Sequence, residues 1–385
     1  MAFEHYLFSD GKRRRCGFTT GTCAALAAAG AARKLLLGRW PDTVRLRTPK
    51  GLVVEVPLED CRLEGDAAVC GVRKDGGDDV DQTTGALIVA SVSRTDPPGI
   101  TILGGPGVGR VTKPGLDQPV GSPAINRIPR QMIRQELETL CRESDYRGGL
   151  TVTISVPEGA RIAEKTFNPH LGIQGGISIL GTSGIVEPMS LTAMADSLRL
   201  ELRQLAAQGE RNVILTPGNY GQDFLQHHGL DKLGVPVVKC SNFIGEALDQ
   251  AAEDGMEGVL LVGHAGKLVK LAGGILNTHS RYGDCRTELF CAHAAVCGAD
   301  QATCRALLAS ATTDACLAIL EQAGLRQAVL DRLLTAIHSH LTRRVGGRYP
   351  IGAILFSNQF GELGRTPDTQ EVLQRWQQKQ ELSMG

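Results

Sequence analysis

Aromatic side chains are scarce in this chain: tryptophan, tyrosine and phenylalanine make up 4% of 385 residues. A platform on which successive bases stack needs more of them, so a single-stranded nucleic-acid binder is disfavoured. Net charge is missing too, since 41 basic side chains balance 41 acidic ones. Domains that bind nucleic-acid backbones usually carry a basic excess. No apolar run approaches the roughly 18–20 residues that span a bilayer. The nearest, Cys23 to Ala32, is stopped by Arg33 and Lys34. Preceded by Lys12, Arg13, Arg14 and Arg15, it mimics a secretory or twin-arginine signal. Its alanine content and the charge directly behind it fit a helix better. Thr20 or Thr22 is expected to cap that helix and Gly38 to end it. The eleven cysteines are odd in number, and no two are spaced as CxxC. His293 and Cys297 stand at i, i+4 inside the cluster Cys285, Cys291, Cys297 and Cys304. Two ligands do not make a metal site, so core packing is the expected role. These features read as a cytoplasmic protein with reduced thiols, no membrane contact and no bound metal of its own.

What abounds is glycine, at 47 residues and without a collagen-like period, against a background of about 7%. At this length two domains are expected, and the composition suits an α/β enzyme.

Residues 1–208 read as an α+β domain in which strands dominate. Val44 to Arg47 and Leu52 to Val56 flank the turn Thr48-Pro49-Lys50-Gly51. Ala86 to Val92, Ile100 to Leu103 and Leu150 to Val156 are further strands, and Pro129 to Glu143 has helical spacing. From Ser190 the period changes. A helical face through Leu191, Met194, Leu198, Leu202 and Leu205 ends at Gln208-Gly209-Glu210. Val213 to Leu215, Val235 to Val238 and Val259 to Val262 then each run into a polar turn and a helical stretch, and Ile351 to Phe356 is a late strand. That alternation predicts a Rossmann-like α/β domain with a mostly parallel sheet over 209–365. A polar C-terminal tail, 366–385, is expected to hold one short peripheral helix through Val372 and Trp376. Ligands of such sheets sit beyond the carboxyl ends of the strands.

Several segments carry chemistry. Thr19-Thr20-Gly21-Thr22-Cys23 opens a helix with hydroxyls and N–H groups, which suits an anion or a plain cap. Asp75, Asp78, Asp79 and Asp81 place four carboxylates within seven residues among glycines. Such a group can hold a cation or ammonium, supply a general base, or form a solvated turn. The glycines of Gly172 to Ser190 suggest backbone pressed against a ligand or another segment. Gly263 to Arg286 gathers His264, Lys267, Lys270, His279, Arg281 and Arg286, groups that orient a ligand or match carboxylates. No glycine-rich turn has phosphate-loop spacing. Lys239-Cys240-Ser241-Asn242 also lacks the acid that takes a ribose diol in an NAD domain.

Taken in chain order, these motifs are specific as a set. They include Gly17-Phe-Thr-Thr-Gly-Thr-Cys-Ala24, Lys74-Asp-Gly-Gly-Asp-Asp79, Gly107-Val-Gly109 with Val111-Thr-Lys-Pro-Gly-Leu116, and Ala124-Ile-Asn126 with Pro129-Arg130. Ala163 to Pro169, Gly175 to Ser190 and Gly263 to Arg286 complete them. Over about Cys16 to Gly364 the sequence resembles the cobalt-precorrin-5B C1-methyltransferases, the CbiD family of anaerobic cobalamin biosynthesis. Val80 and Gln82 depart from that pattern beside the double aspartate.

The resemblance implies methyl transfer from S-adenosylmethionine to a ring carbon of a cobalt-bearing tetrapyrrole. The products are cobalt-precorrin-6A and S-adenosylhomocysteine, and cobalt belongs to the substrate only. It implies a fold unlike that of the pathway's other methyltransferases, and it brings no catalytic residue with it. The site expectations follow from the chemistry. Gly218, Asn219, Tyr220, Gly221 and Gly263 are expected to hold the donor. Lys267, Lys270, Arg281 and Arg286, with Thr19 and Thr20, are expected to meet substrate carboxylates. Asp78, Asp79, His264 and His279 are the expected acid–base or orienting groups. An ATP-binding small-molecule kinase and a non-catalytic corrinoid carrier are the rival readings. Oligomeric state and transient contacts with neighbouring pathway enzymes stay open.

Overall fold

The computed structural model describes residues 3–9, 11–169 and 171–384 and divides into two units, Met1–Leu191 and Thr192–Gly385. In the first, β1 (Tyr6–Ser9) and β2 (Lys12–Arg15) form an antiparallel hairpin, and β3 (Gly17–Phe18) leads into α1 (Thr20–Leu37). The signal-like basic run is therefore a strand. Thr19, rather than Thr20 or Thr22, caps α1, its hydroxyl accepting from the Thr22 N–H at 3.2 Å because the chain turns helical at Thr20. Gly38 ends the helix at φ 78°. From Thr20 to Ala32 every residue of α1 is buried, as befits a helix apolar all round. Alanine and glycine let neighbours approach closely: a Cβ on Gly30 would lie 2.6 Å from Leu58.

The hairpin of β4 (Thr43–Arg47) and β5 (Val53–Pro57) follows, as its alternating valines and leucine predict. The remaining strands of this unit are β6 (Glu59–Glu64), β7 (Ala67–Arg73), β8 (Leu87–Thr95), β9 (Gly99–Gly104), β10 (Gly107–Val108), β11 (Arg110–Val111), β12 (Gly149–Ser155), β13 (Ile173–Gln174), β14 (Gly176–Ile177) and β15 (Ile185–Val186). The main sheet has the order β6-β7-β8-β12-β9, antiparallel except for the β12–β9 pair. α1 packs on β7 and β8 and against α2 (Arg127–Glu143), while the short α3 (Gly159–Ala163) packs on β14.

The glycine-rich segments are places where backbones cross. A Cβ on Gly107 would lie 1.8 Å from the Val156 carbonyl oxygen, one on Gly159 2.0 Å from the Gly107 oxygen, and one on Gly176 2.2 Å from that same oxygen. Segment meets segment there.

The second unit opens with α4 (Leu191–Ala207), which the sequence reading placed in the first. Its Arg203 lies near Asp254 and its Ala206 carbonyl accepts from Arg211, so it belongs with the strands that follow. Next come β16 (Asn212–Thr216), α5 (Asn219–His227), β17 (Val237–Lys239), α6 (Ile244–Glu253), β18 (Gly258–His264) and α7 (Ala265–Leu268). Four helices then run from α8 (Arg286–Val296) through α9 (Gln301–Leu308) and α10 (Thr313–Gln322) to α11 (Arg326–Val345). The chain closes with β19 (Ile351–Ser357), β20 (Gly361–Arg365) and α12 (Thr369–Met384).

The sheet order is β17-β16-β18-β19-β20, parallel throughout except for β20. Ile214, Leu260, Val262, Ile354 and Phe356 pack in one layer with residues of α5 and α12. The C-terminal segment is thus no peripheral tail. Val372, Leu373 and Trp376 are buried, and the Trp376 indole donates to Asn212 Oδ1 at 2.8 Å. The cysteine cluster also departs from expectation: Cys285, Cys291, Cys297 and Cys304 are half-buried, not core. Among the described residues no helix is long and apolar enough to cross a membrane.

Candidate functional site

Two places gather polar chemistry, one in each unit. In the first unit a cavity of about 200 Å³ is walled by Thr19, Thr20, Lys74, Asp81, Thr83, Asn168 and Ser178, with apolar Ile177, Leu180 and Val186. Lys74 continues the inward face of β7 (Ala68, Cys70, Val72) and is 3% exposed. Its ammonium donates to Asp81 Oδ2 at 2.5 Å, the one side-chain partner it has among the described residues. An ammonium has three donors, so this group keeps capacity for a ligand oxygen. Asp81 Oδ1 accepts from the N–H and hydroxyl of Thr83. Burial pushes the Asp81 carboxyl up, but the Lys74 charge and these hydrogen bonds together hold it below its ordinary value.

Thr19 and Thr20 line this cavity, yet the start of α1 is already committed to the 180–184 segment. The Gly21 N–H donates to the Leu180 carbonyl, the Thr19 N–H to Gly184, and Thr20 Oγ1 accepts from the Leu180 N–H. The anion-binding role of those N–H groups is replaced by docking of the glycine-rich loop.

Asp78 and Asp79 do not line the cavity. Asp78 Oδ2 accepts from the Arg15 N–H at 2.7 Å, and Asp79 Oδ1 from the Met189 N–H at 3.2 Å. Asp75 pairs with the Arg15 guanidinium, which holds its carboxyl low. A Cβ on Gly77 would lie 2.3 Å from the Arg15 carbonyl oxygen. The acidic turn clasps the strand before α1. Asp78 and Asp79, the expected acid–base groups, thus lie outside this cavity, and Asp81 is the member of the four that lines it; its signal in the sequence is Lys74, seven residues earlier, on the apolar face of its strand.

In the second unit the crossover from β16 runs to β17 on one side and that from β18 to β19 on the other, so the carboxyl ends of β16 and β18 are the switch point at which such sheets take ligands. The turns after Thr216 and Gly263 flank it. Lys267 joins them, its ammonium donating to the carbonyls of Pro217 at 2.6 Å and Ser241 at 3.4 Å. Burial and the nearby Lys239 and Lys270 charges lower its pKa. Gly218 is extended at φ −171°, and a Cβ there would meet nothing within 4 Å. Asn219 accepts from Lys239, and Tyr220 is 59% exposed. Gly221 and Gly263 are packing positions instead: a Cβ would lie 2.8 Å from the Thr216 side chain and 3.0 Å from Leu268. The Thr216 hydroxyl is buried and has no partner.

His264 sits between Tyr220 and Phe356, with Nδ1 accepting from the Gly266 N–H at 3.0 Å. Burial lowers its pKa, with Asp314 opposing, so the neutral ring carries its proton on Nε2 and offers a donor rather than a base. His279 Nδ1 likewise accepts, from the Arg281 N–H. Arg281 is exposed, and Arg286 grips Asp284 through two bonds of 2.6 and 2.8 Å.

Lys270 is 4% exposed and donates to the Thr278 and Gly283 carbonyls at 3.1 and 2.9 Å. It staples the loop that carries His279 and Arg281, which corrects the expected substrate contact. Lys270→Met should leave those two carbonyls unsatisfied and cost about 1–3 kcal/mol. Urea denaturation reads the loss, and limited proteolysis should nick the chain between 278 and 284; an unchanged midpoint and cleavage pattern would refute the staple.

The fold is that of a mixed α/β protein whose second unit holds a mostly parallel sheet. The comparisons with known proteins give the family. The CbiD family model matches residues 8–188, and the model of the CbiD C-terminal domain matches 277–367. A cobalt-precorrin-5B C(1)-methyltransferase of Ruminiclostridium cellulolyticum is 46% identical, over 94% of this chain and 93% of its own length. One of Alkaliphilus metalliredigens is 42% identical, over 96% and 97%. The crystal structure of a cobalamin biosynthesis protein (cbiD) from Archaeoglobus fulgidus is 30% identical, with a TM-score of 0.38, over 70% of this chain and 83% of its own. The chain belongs to the CbiD family.

Proposed function

We propose that this chain transfers a methyl group to C1 of cobalt-precorrin-5B, as its curated relatives are named for doing, with S-adenosylmethionine as donor and a Rossmann-like second unit as the donor-binding half. The observation that carries the reading is 46% identity sustained over 94% of the chain. The turn after β16 fits such a donor: Gly218 opens on empty space, and the buried Thr216 hydroxyl beside it lacks a partner. Lys239, where a ribose-binding acid would stand, suits the donor's carboxylate together with the start of α5. When bound, the sulfonium supplies an already activated methyl group. The protein is left to position and to exclude water.

Exposed Tyr220 stands beside His264, whose ring rests edge-on against the buried Phe356, and the Nε2–H of His264 orients a ligand oxygen. The Lys74–Asp81 pair, with Thr19 and Thr20 beside it, receives a carboxylate of the tetrapyrrole through the ammonium. Asp81 stays ionised there, so it balances the lysine and takes no proton. In the second unit, Arg281 is an exposed cation on the loop that the Lys270 staple holds, and it suits a ligand carboxylate.

Gly218→Val tests the donor site without disturbing the fold, since its backbone angle suits any residue and its side chain would enter open space. Calorimetry should show S-adenosylhomocysteine binding at least about tenfold weaker, roughly 1.4 kcal/mol, with an unchanged melting temperature. Undiminished affinity would move the donor elsewhere. Transfer of labelled methyl to the tetrapyrrole in a single turnover separates the enzyme from a corrinoid carrier, and preference for ATP would favour the kinase.

A further inference from the structure

Outside both sites, a groove of about 660 Å³ runs between α2 and the 117–122 loop, lined by Arg127, Arg130 and Arg134 on one wall and by Asp117, Gln118 and Ser122 among the residues facing them. The three arginines stand at i, i+3 and i+7, so they share a helix face beside the buried stripe of Met132, Ile133 and Leu137. Elsewhere arginines of this chain hold carboxylates: Arg73 with Glu59, Arg286 with Asp284, Arg344 with Asp249, Arg365 with Glu362. Here, among the described residues, Arg127 and Arg134 have no ion-pair partner, and Asp117 pairs with none of the three. Arg130 is half-buried and donates only to neutral carbonyls, those of Ile125 at 2.8 Å and Ile102 at 3.3 Å. Burial and the neighbouring Arg134 both disfavour its charge.

The helix adds to the imbalance. Arg127 and Arg130 occupy the first turn of α2, where the dipole favours anions, and that turn holds no acid and no side-chain cap. Cations crowd the end of a helix that repels them. Three guanidinium groups face a single carboxylate across the groove, Asp117, and among the described residues it pairs with none of them. Spacing narrows the ligand: from i to i+7 a helix rises about 10 Å, too far for one phosphate to bridge and suited to carboxylates spread over a larger body. Scarce aromatics and balanced charge weigh against a nucleic-acid strand.

We infer that this groove binds an extended polycarboxylate through Arg127, Arg130 and Arg134, and that in the proposed reaction it holds peripheral carboxylates of the tetrapyrrole. The identity of the ligand rests on the proposed function; the polycarboxylate chemistry does not. Planar guanidinium forks take carboxylates two bonds at a time, which fixes orientation as well as affinity.

Uroporphyrin, an octacarboxylate tetrapyrrole, is the probe, with a tetracationic N-methylpyridyl porphyrin as the control of equal ring size and opposite charge. The test variant is the double substitution Arg127→Gln, Arg134→Gln, because both side chains are exposed and unpaired while Arg130 also supports the fold. Fluorescence titration of the full chain should show uroporphyrin binding roughly 10- to 30-fold weaker in the double variant, with a flatter dependence on salt. The cationic porphyrin should be unaffected. Unchanged uroporphyrin affinity and salt dependence would overturn the groove, as would an equal loss for the cationic ring or tighter binding of a single-stranded oligonucleotide. The two proposals fail separately. Wild-type protein that binds uroporphyrin through these arginines but transfers no methyl group loses the methyltransferase reading and keeps the groove. A double variant that transfers methyl and binds uroporphyrin undiminished loses the groove alone.

Discussion

Asp81→Asn is expected to lower the stability of the first unit by about 3–5 kcal/mol, among the largest effects of any side-chain change in the chain. The substitution leaves Lys74, 3% exposed, with a charge and no counter-charge. The hydroxyls nearest it already have partners, Thr20 Oγ1 with Ser178 O and Ser178 Oγ with Asn168 Oδ1, so no other charge takes the place of the lost carboxylate. Replacing both members by apolar residues, Lys74→Met with Asp81→Leu, should restore most of the loss, since the cost lies in an unpaired charge. The same pair predicts a pH dependence. Asp81 titrates below its ordinary value of 3.8 in the folded state. Protonating it is therefore harder folded than unfolded, so its contribution is complete above the unfolded pKa and disappears as the pH falls through the folded one. Urea midpoints against pH measure both effects. A loss under about 1 kcal/mol would mean that the pair behaves as a surface salt bridge.

Gly107→Ala is expected to cost more than about 4 kcal/mol or to abolish folding of the first unit. Its φ of +75° already disfavours a side chain, and the new Cβ would lie 1.8 Å from the Val156 carbonyl oxygen. Neither neighbour is a flexible side chain, so nothing can swing aside. Gly121→Ala is the control. At φ +88° with nothing within 4 Å, it should lose only the left-handed penalty of about 1–2 kcal/mol. Equal losses at the two positions, read from denaturant midpoints, would refute steric crossing as the cause.

Elements were legible where one side of the chain faces water, or where a short apolar run ends in a marked polar turn, as the buried strands of the parallel sheet do. The hairpin at 43–57, the helix α2 and the strands of the parallel sheet all stand within a residue or two of where alternation and helical spacing put them. β6 and β7 were not read, because Ala67–Arg73 is buried almost throughout and shows no alternation, while Glu59–Glu64 is polar and exposed on nearly every residue. The C-terminal helix was misjudged for a different reason. Gln370, Gln374, Gln377 and Gln378 are the solvent side of a helix whose Val372, Leu373 and Trp376 are buried. Site residues were harder. A carboxylate cluster announces charge but not which member is turned inward, and Asp78 and Asp79 proved to hold backbone N–H groups of Arg15 and Met189. Likewise Lys270 and Arg286 stood out by residue type, yet partners from distant or adjacent positions occupy them. No local pattern states that a lysine will meet a carbonyl thirteen residues on.

β19 completes the sheet of the second unit, between β18 and β20, and all seven of its residues are buried. It reaches that place only after the four helices from 286 to 345 have been made. During synthesis on the ribosome the flank of β18 is therefore bare for the whole of that interval, a row of unpaired peptide groups among valines and leucines. A nascent chain halted before Ile351 would hold a sticky half-sheet, and a premature stop there should yield insoluble fragments rather than a smaller domain. Late closure thus leaves this half of the molecule with an open edge for longer than a sheet assembled in unbroken chain order would have.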